Sequence, residues 1–269
     1  MAYLFDHLDL IKKALRQSPF GLITDVDGTI SPTAPTPPQA EVSPLCRQYL
    51  SILSEKLALV AAISGRPAVE AKNMLRIDKM VYIGNHGLER WTEGHTELVD
   101  EVKEYPGVIK SAVKELSHLL TVDGISIEDK GATATIHYRL CPEPELAKEK
   151  IHAALKSLAQ ARHLRIMEGK MAINLLPPVS LNKGTTVLDL IRDYRLRGGI
   201  YLGDEYTDID AFRAIHNAAG DLAFQGFAIG VTSPEMPEGL VSEADFSLNG
   251  VADVERFLQW LSRNVPESG

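Results

Sequence analysis

The chain has 269 residues, 45% hydrophobic and 24% charged, the balance of a globular protein with room for one large or two modest domains. A formal charge of −8 and a pI near 5.5 argue against a nucleic-acid partner, which needs clustered Lys and Arg, and oblige any phosphate ligand to find local positive charge or a metal. Cys46 and Cys141 are too few for a disulfide framework, and Asp6, His7 and Asp9 interrupt the apolar positions of the N-terminus, so a cytoplasmic protein with no membrane partner is expected.

The first predicted strand, 20–24, delivers Asp25-Val26-Asp27-Gly28-Thr29. Residues i and i+2 of an extended segment point the same way, so Asp25 and Asp27 can converge on one reacting group as a nucleophile and its acid/base partner. Gly28 lets the backbone turn tightly beside a phosphate. Ordinary turns also favour Asp and Gly, so the pentad alone leaves both readings open. A proline-rich loop over 31–44 follows, then a helix over 42–54 and a strand over 57–63. Ser64-Gly65-Arg66-Pro67 comes next, where a hydroxyl and backbone amides at a helix start can bind phosphate oxygens. Ser64 can equally cap the helix predicted over 67–74, and the two roles are compatible. A strand over 80–83 ends in the glycine-rich Gly84-Asn85-His86-Gly87-Leu88-Glu89, which makes His86 a candidate site residue as well as an ordinary loop histidine.

Between 105 and 178 the rhythm changes to a helix over 108–120, strands over 125–128 and 133–139, a helix over 144–161 and strands over 164–167 and 171–176. Gly131 and Gly169 lie between the paired strands as in hairpins. This block reads as a small α+β domain, entered at Tyr105-Pro106-Gly107 and left at Pro177-Pro178, inserted into a larger one. The larger one resumes with a helix over 181–194, a strand over 199–202, a helix over 207–219, a strand over 227–231 and a helix over 251–263. Such alternation is the pattern of a parallel sheet with crossover helices.

Lys183 stands at the positive end of a helix dipole, an unfavourable place unless carboxylates and phosphate hold it. Asp204 stands at a predicted strand tip and Asp208 four residues on; acidic residues there also serve as ordinary helix caps. With Asp25 they would make an all-oxygen nest suited to Mg²⁺, and a cation is needed to bring a phosphate dianion to so many carboxylates.

Asp25 to Thr29, Ser64 to Arg66, Asn182-Lys183-Gly184 and Gly203-Asp204 through Asp208, in that order, resemble the four motifs of haloacid-dehalogenase-like phosphohydrolases. The stretches 84–89, 128–131, 137–139, 169–170 and 203–212 are similar to those of trehalose-6-phosphate phosphatases. The resemblance implies an α/β fold, with a Rossmann-like parallel-sheet catalytic core over 1–104 and 179–269 and a substrate-recognition cap over 105–178. It implies that Asp25 attacks phosphorus, that Asp27 protonates the leaving sugar and then activates water, and that Ser64 and Lys183 hold phosphate oxygens. Mg²⁺ would be bound by Asp25, the carbonyl of Asp27, Asp204 and Asp208. Substrate would be recognised by Arg66, His86, Lys130, His137, Arg139, Glu168, Lys170 and Asn174. Relatives carry a glutamate and a basic residue where this chain has Asn174 and Leu176, which puts sugar selectivity in question. The expected activity is Mg²⁺-dependent hydrolysis of trehalose 6-phosphate through an aspartyl-phosphate. A phosphatase for another phosphorylated disaccharide or glycosyl-glycerate, and a phosphosugar mutase, are the alternatives.

Overall fold

The computed structural model describes residues 1–158, 163–221, 223–234 and 236–266. It divides into two compact units, Met1–Thr96 with Leu181–Gly269, and Glu97–Ser180. The sequence placed the change-over at 105 and 178; the unit boundaries fall at 97 and 180.

The larger unit runs β1 (Ala2–Tyr3), α1 (Leu8–Ala14), β2 (Phe20–Thr24), α2 (Pro44–Lys56), β3 (Leu59–Ile63), α3 (Ala68–Leu75), β4 (Val81–Gly84) and β5 (Glu89–Thr92), and the boundary falls within β6 (His95–Leu98). The inserted unit holds α4 (Pro106–Leu119), β7 (Ser126–Asp129), β8 (Ala134–His137), α5 (Pro144–Ser157), β9 (Arg165–Gly169) and β10 (Ala172–Leu176). The larger unit then closes with α6 (Lys183–Asp193), β11 (Gly198–Gly203), α7 (Asp208–Asp221), β12 (Gln225–Thr232), α8 (Glu238–Glu243), β13 (Phe246–Asn249) and α9 (Gly250–Asn264).

Nine strands form the main sheet in the order β1-β13-β12-β11-β2-β3-β4-β5-β6. The strands from β1 to β4 in that order pair in parallel, and β5 joins β4 antiparallel. Every residue of β2, β3 and β11 is buried, which is why these segments read as unbroken apolar runs. One face is covered by α2 and α9 through Cys46, Leu50, Leu53, Phe257 and Leu261, the other by α6 and α7 through Val187, Ile191, Phe212 and Ile215. The chain leaves β2 towards β3 and β4 on one side and later adds β11 and β12 on the other. The order therefore reverses between β2 and β11, and a crevice opens at such a switch point beyond the strands' carboxyl ends.

All five core strands expected from the sequence form. Strand β3 begins at Leu59 because Leu57 still belongs to the end of α2, its N–H bonding Leu53 O at 2.8 Å. Helix α5 ends at Ser157, and positions 159–161 of the helix expected there lie outside the described residues. Strands β5 and β6 were unforeseen: Glu-Arg-Trp-Thr and His-Thr-Glu-Leu lack an apolar run because they are half-exposed at the sheet's edge. They meet at Glu93 and Gly94, both at positive φ, a turn that the Glu-Gly pair only weakly advertises.

Phe257 is fully buried between α9 and the sheet and stacks on Trp260. Phe257→Ala should cost about 3–5 kcal/mol of unfolding free energy. Urea denaturation followed by circular dichroism measures it, and a loss under about 1 kcal/mol, the range of a surface substitution, would show that α9 does not anchor the core.

Candidate active site

Asp25 follows β2 directly, and its N–H bonds Leu202 O on β11 at 2.8 Å, fixing it at the switch point. The chain then turns sharply, with Ile30 and Ser31 N–H both on Val26 O at 3.0 Å. Gly28 sits at φ +83°, and a Cβ there would lie 2.0 Å from Asp204 Oδ2, so both the turn and the approach of the Asp204 carboxylate require glycine. Thr29 Oγ1 donates to Asp204 Oδ1 at 3.0 Å. The loop after β2 thus positions the aspartate at the end of β11.

Asp25, Asp204 and Asp208 are all buried, and each offers a carboxylate oxygen within 4.8 Å of the others. Three oxygen donors at that spacing suit a hard divalent cation. Asp208 is also a hub. Its Oδ1 accepts from Lys183 Nζ at 2.8 Å and Tyr201 OH at 2.7 Å, and its Oδ2 accepts from the N–H groups of Asp204 at 2.9 Å and Glu205 at 3.0 Å.

Lys183 is the first residue of α6, whose N-terminus is fixed by reciprocal bonds between Asn182 and Thr185. Its ammonium is fully buried and meets Asp208 at 2.8 Å, Asp25 at 3.0 Å and Glu205 at 3.3 Å. One cation shared among three carboxylates cannot balance them all. Desolvation therefore pushes the Asp25 carboxyl well above the usual range despite the pull of Lys183, with Asp208, Glu205 and Asp204 adding to the rise. Burial draws the Lys183 ammonium down, but Asp208 and Asp25, helped by Tyr201 and Glu205, more than reverse it and leave its pKa well above the ordinary value.

Ser64 and its neighbours form a second wall at the end of β3. Ser64 Oγ accepts from Arg66 N–H at 3.1 Å, and the loop after β4 locks on with His86 N–H to Ser64 O at 2.9 Å and Asn85 N–H to Arg66 O at 2.8 Å. Asn85 and His86 both have left-handed backbone, with φ of +49° and +61°. That costs energy in non-glycine residues and persists only where the surroundings enforce it. The His86 ring is buried over Gly65, where a Cβ would come within 2.6 Å of it. The Asp27 side chain stands apart from the acidic cluster. Both its oxygens bond Arg66, at 2.6 Å to Nε and 2.9 Å to Nη2.

In the inserted unit, β7-β8-β10-β9 form an antiparallel sheet whose one face packs Ile136, Ile173 and Leu175 against α4 and α5. The other face carries Glu128, Thr135, His137 and Asn174 in adjoining register. Glu128 Oε2 lies 2.9 Å from His137 Nε2 and 3.7 Å from Lys130 Nζ, and Thr135 Oγ1 donates to Asn174 Oδ1 at 2.7 Å. Arg139 donates to Lys170 O at 3.4 Å, beside the β9–β10 hairpin. Glu168 does not join the polar face. It pairs across from Ile173, so its side chain shares the helix-covered face, where Lys148 at 2.7 Å and His152 at 3.3 Å on α5 hold it. Leu176 is fully buried, and Asn174 finds its partner locally in Thr135.

Sequence reasoning assigned no role to Tyr201, Thr29 or Glu205. A tyrosine inside an otherwise apolar strand was the available signal, because a buried phenol must find a partner.

Solved structures share this fold, a mostly parallel sheet with helices on both faces. The C-terminal domain of the C. albicans trehalose-6-phosphate phosphatase superposes with a TM-score of 0.79 at 21% identity, covering 97% of this chain and 98% of that one. The profile of the trehalose-phosphatase family matches residues 23–249, and the chain belongs to that family. It is accordingly a hydrolase of phosphoric monoesters. Trehalose 6-phosphate phosphatase RA3 of Zea mays is 24% identical over 262 residues, which make up 90% of this chain and 69% of the relative. An uncharacterized glycosyl hydrolase of Mycobacterium tuberculosis is 27% identical over 268 residues, and there the chain spans 19% of the relative's length.

Replacing Lys183 by Met would leave Asp25, Asp208 and Glu205 without their shared cation. Removing one partner of a buried ion pair costs about 3–5 kcal/mol. Urea unfolding at neutral pH should show a loss of that size, and a variant as stable as the parent would mean that the ammonium does not hold the cluster together.

Proposed function

We propose that this protein hydrolyses trehalose 6-phosphate in a Mg²⁺-dependent reaction through an aspartyl-phosphate, in a reducing cytoplasm that keeps Cys46 and Cys141 as thiols. The observation that carries the reading is the meeting of Asp25, Asp204 and Asp208 with the buried Lys183 ammonium at the sheet's switch point. The family match supplies the substrate class.

In the first step an Asp25 oxygen bonds to phosphorus and the bond from phosphorus to the sugar oxygen breaks. The electron pair stays on the sugar oxygen, which takes a proton from Asp27. In the second step water attacks the phospho-aspartate and gives a proton to the Asp27 carboxylate. The bond from Asp25 to phosphorus breaks with its pair returning to Asp25, and inorganic phosphate leaves. The catalyst ends as it began. Ser64 and Lys183 hold the phosphoryl oxygens, with Lys183 lowering the repulsion between phosphate and Asp25. Asp25, Asp204 and the carbonyl of Asp27 would hold Mg²⁺, which supplies charge neutralisation at the phosphoryl group when bound. The four acceptor contacts on Asp208 suit it to orienting Lys183 and the Asp204 backbone.

We read 105–178 as the substrate-recognition cap, with Lys130, His137 and Asn174 as the residues that meet the sugar, together with Arg139 and Lys170 near the hairpin. Glu128 and Thr135 join them through their bonds to His137 and Asn174. The family pattern that the sequence resembles has a glutamate where Asn174 stands, so the neutral Thr135–Asn174 pair favours a second reading, a different phosphorylated disaccharide.

Phosphate release from a panel of sugar phosphates that includes trehalose 6-phosphate and glucosylglycerate phosphate decides between them. Trehalose 6-phosphate should be turned over fastest, chelation should stop the reaction and Mg²⁺ should restore it. Faster release from another ester would overturn the substrate, and indifference to chelation would overturn the metal. Asp25→Asn should abolish turnover while leaving the fold intact, and substantial remaining activity would place the nucleophile elsewhere. Asp27→Ala should lower the rate by about 10²–10⁴, the range of general acid/base catalysis, as stopped-flow phosphate detection would show.

A further inference from the structure

Arg66 spends its guanidinium on the protein. Nε and Nη2 hold the two oxygens of Asp27 at 2.6 and 2.9 Å, Nη2 also donates to Pro37 O at 3.0 Å, and Nη1 lies 3.5 Å from Glu70 Oε2. Its backbone is fixed as well, by Ser64 Oγ at 3.1 Å and Asn85 N–H at 2.8 Å. The Arg66 side chain is 10% exposed and that of Asp27 is 39% exposed. Asp27 lies on a loop at the edge of solvent, where an untethered carboxylate samples several rotamers, and acid/base work needs one. A bidentate guanidinium fixes the plane of a carboxylate by taking one lone pair from each oxygen, and a second lone pair on each remains to take up or release a proton.

We infer that Arg66 is a positioning residue, orienting the Asp27 carboxylate for proton transfer and tying it to the frame of the Ser64 loop. It thereby joins the group that handles protons to the group that holds phosphate. Glu70 and the Pro37 carbonyl steady the guanidinium from its far side. The inference rests on the proposed roles of Asp25 and Asp27, and it separates Arg66 from direct binding of substrate.

Leaving groups supply the test. A sugar oxygen must be protonated as it departs, whereas nitrophenolate leaves without a proton; attack by water on the phosphoenzyme needs Asp27 in both cases. Arg66→Gln should therefore lower kcat on trehalose 6-phosphate by at least about tenfold, part of the 10²–10⁴ that general acid/base catalysis supplies, with KM little changed. On p-nitrophenyl phosphate the same variant should release one equivalent of nitrophenol per site in a rapid burst and then turn over slowly. Asp27→Asn should show the same burst, and the double variant should lose little beyond either single one. Arg66→Lys keeps the charge but cannot form the fork, and should show the same pattern to a smaller degree, which decides the question if Arg66→Gln does not fold. Wild-type rates in both variants would overturn the inference. So would a raised KM with unchanged kcat, equal slowing of the burst and of the sugar ester, or additive losses in the double variant. If wild-type protein turns over the aryl ester but not trehalose 6-phosphate, the substrate reading fails, and the burst still reports on Arg66.

Discussion

One ammonium group carries the electrostatic balance of the acidic cluster in the larger unit. Lys183 reaches three carboxylates from a fully buried position, and without it the ends of β2 and β11 could not both present aspartates to the same small volume. Desolvating that much charge is costly, and the structure offsets the cost with hydrogen bonds: Tyr201 and two backbone amides on Asp208, Thr29 on Asp204. Burial, before all else, pushes the Asp25 carboxyl well above the usual range, and the neighbouring carboxylates of Asp208, Glu205 and Asp204 add to the rise against the pull of Lys183.

Topology does the gathering. The residues concerned are distant in sequence, yet each lies at the first position past a strand or at the start of a helix on one rim of the sheet. Reversal of strand order between β2 and β11 leaves no crossover helix over that point, so polar side chains can enter where the sheet elsewhere is sealed on both faces. The interlocked loops after β3 and β4, with consecutive left-handed residues at Asn85 and His86, extend the rim on the other side.

Much of this was legible from the sequence because the core strands are largely buried and therefore mostly apolar, with polar segments following those at 20–24, 57–63, 80–83 and 199–202. Phe20 to Thr24 and Asp25 could be placed to the residue. The edge hairpin was not visible, since Glu89–Thr92 and His95–Leu98 are only partly buried and carry no apolar run. Side-chain pairings were illegible for a different reason. Nothing in a linear string distinguishes an Arg66 that meets a ligand from one that meets Asp27, or a Glu168 on the polar face of a sheet from one held by Lys148 and His152. Periodicity gives the face only when the register is known, and register comes from the neighbouring strand.

The insertion of Glu97–Ser180 between the two halves of the main sheet has a consequence for how the chain is made. As the polypeptide leaves the ribosome, β2 has β3 beside it early, while β11 arrives much later; the bond from Thr29 to Asp204 spans 175 positions. Until then the apolar central strand has one unpaired edge, a hazard for association with other nascent chains. The intervening segment has its own apolar core and can collapse first, shortening the effective tether between the halves and easing the entropy of closing so long a loop. An insertion that separates the two halves of the site in sequence thus also brings them within reach in time.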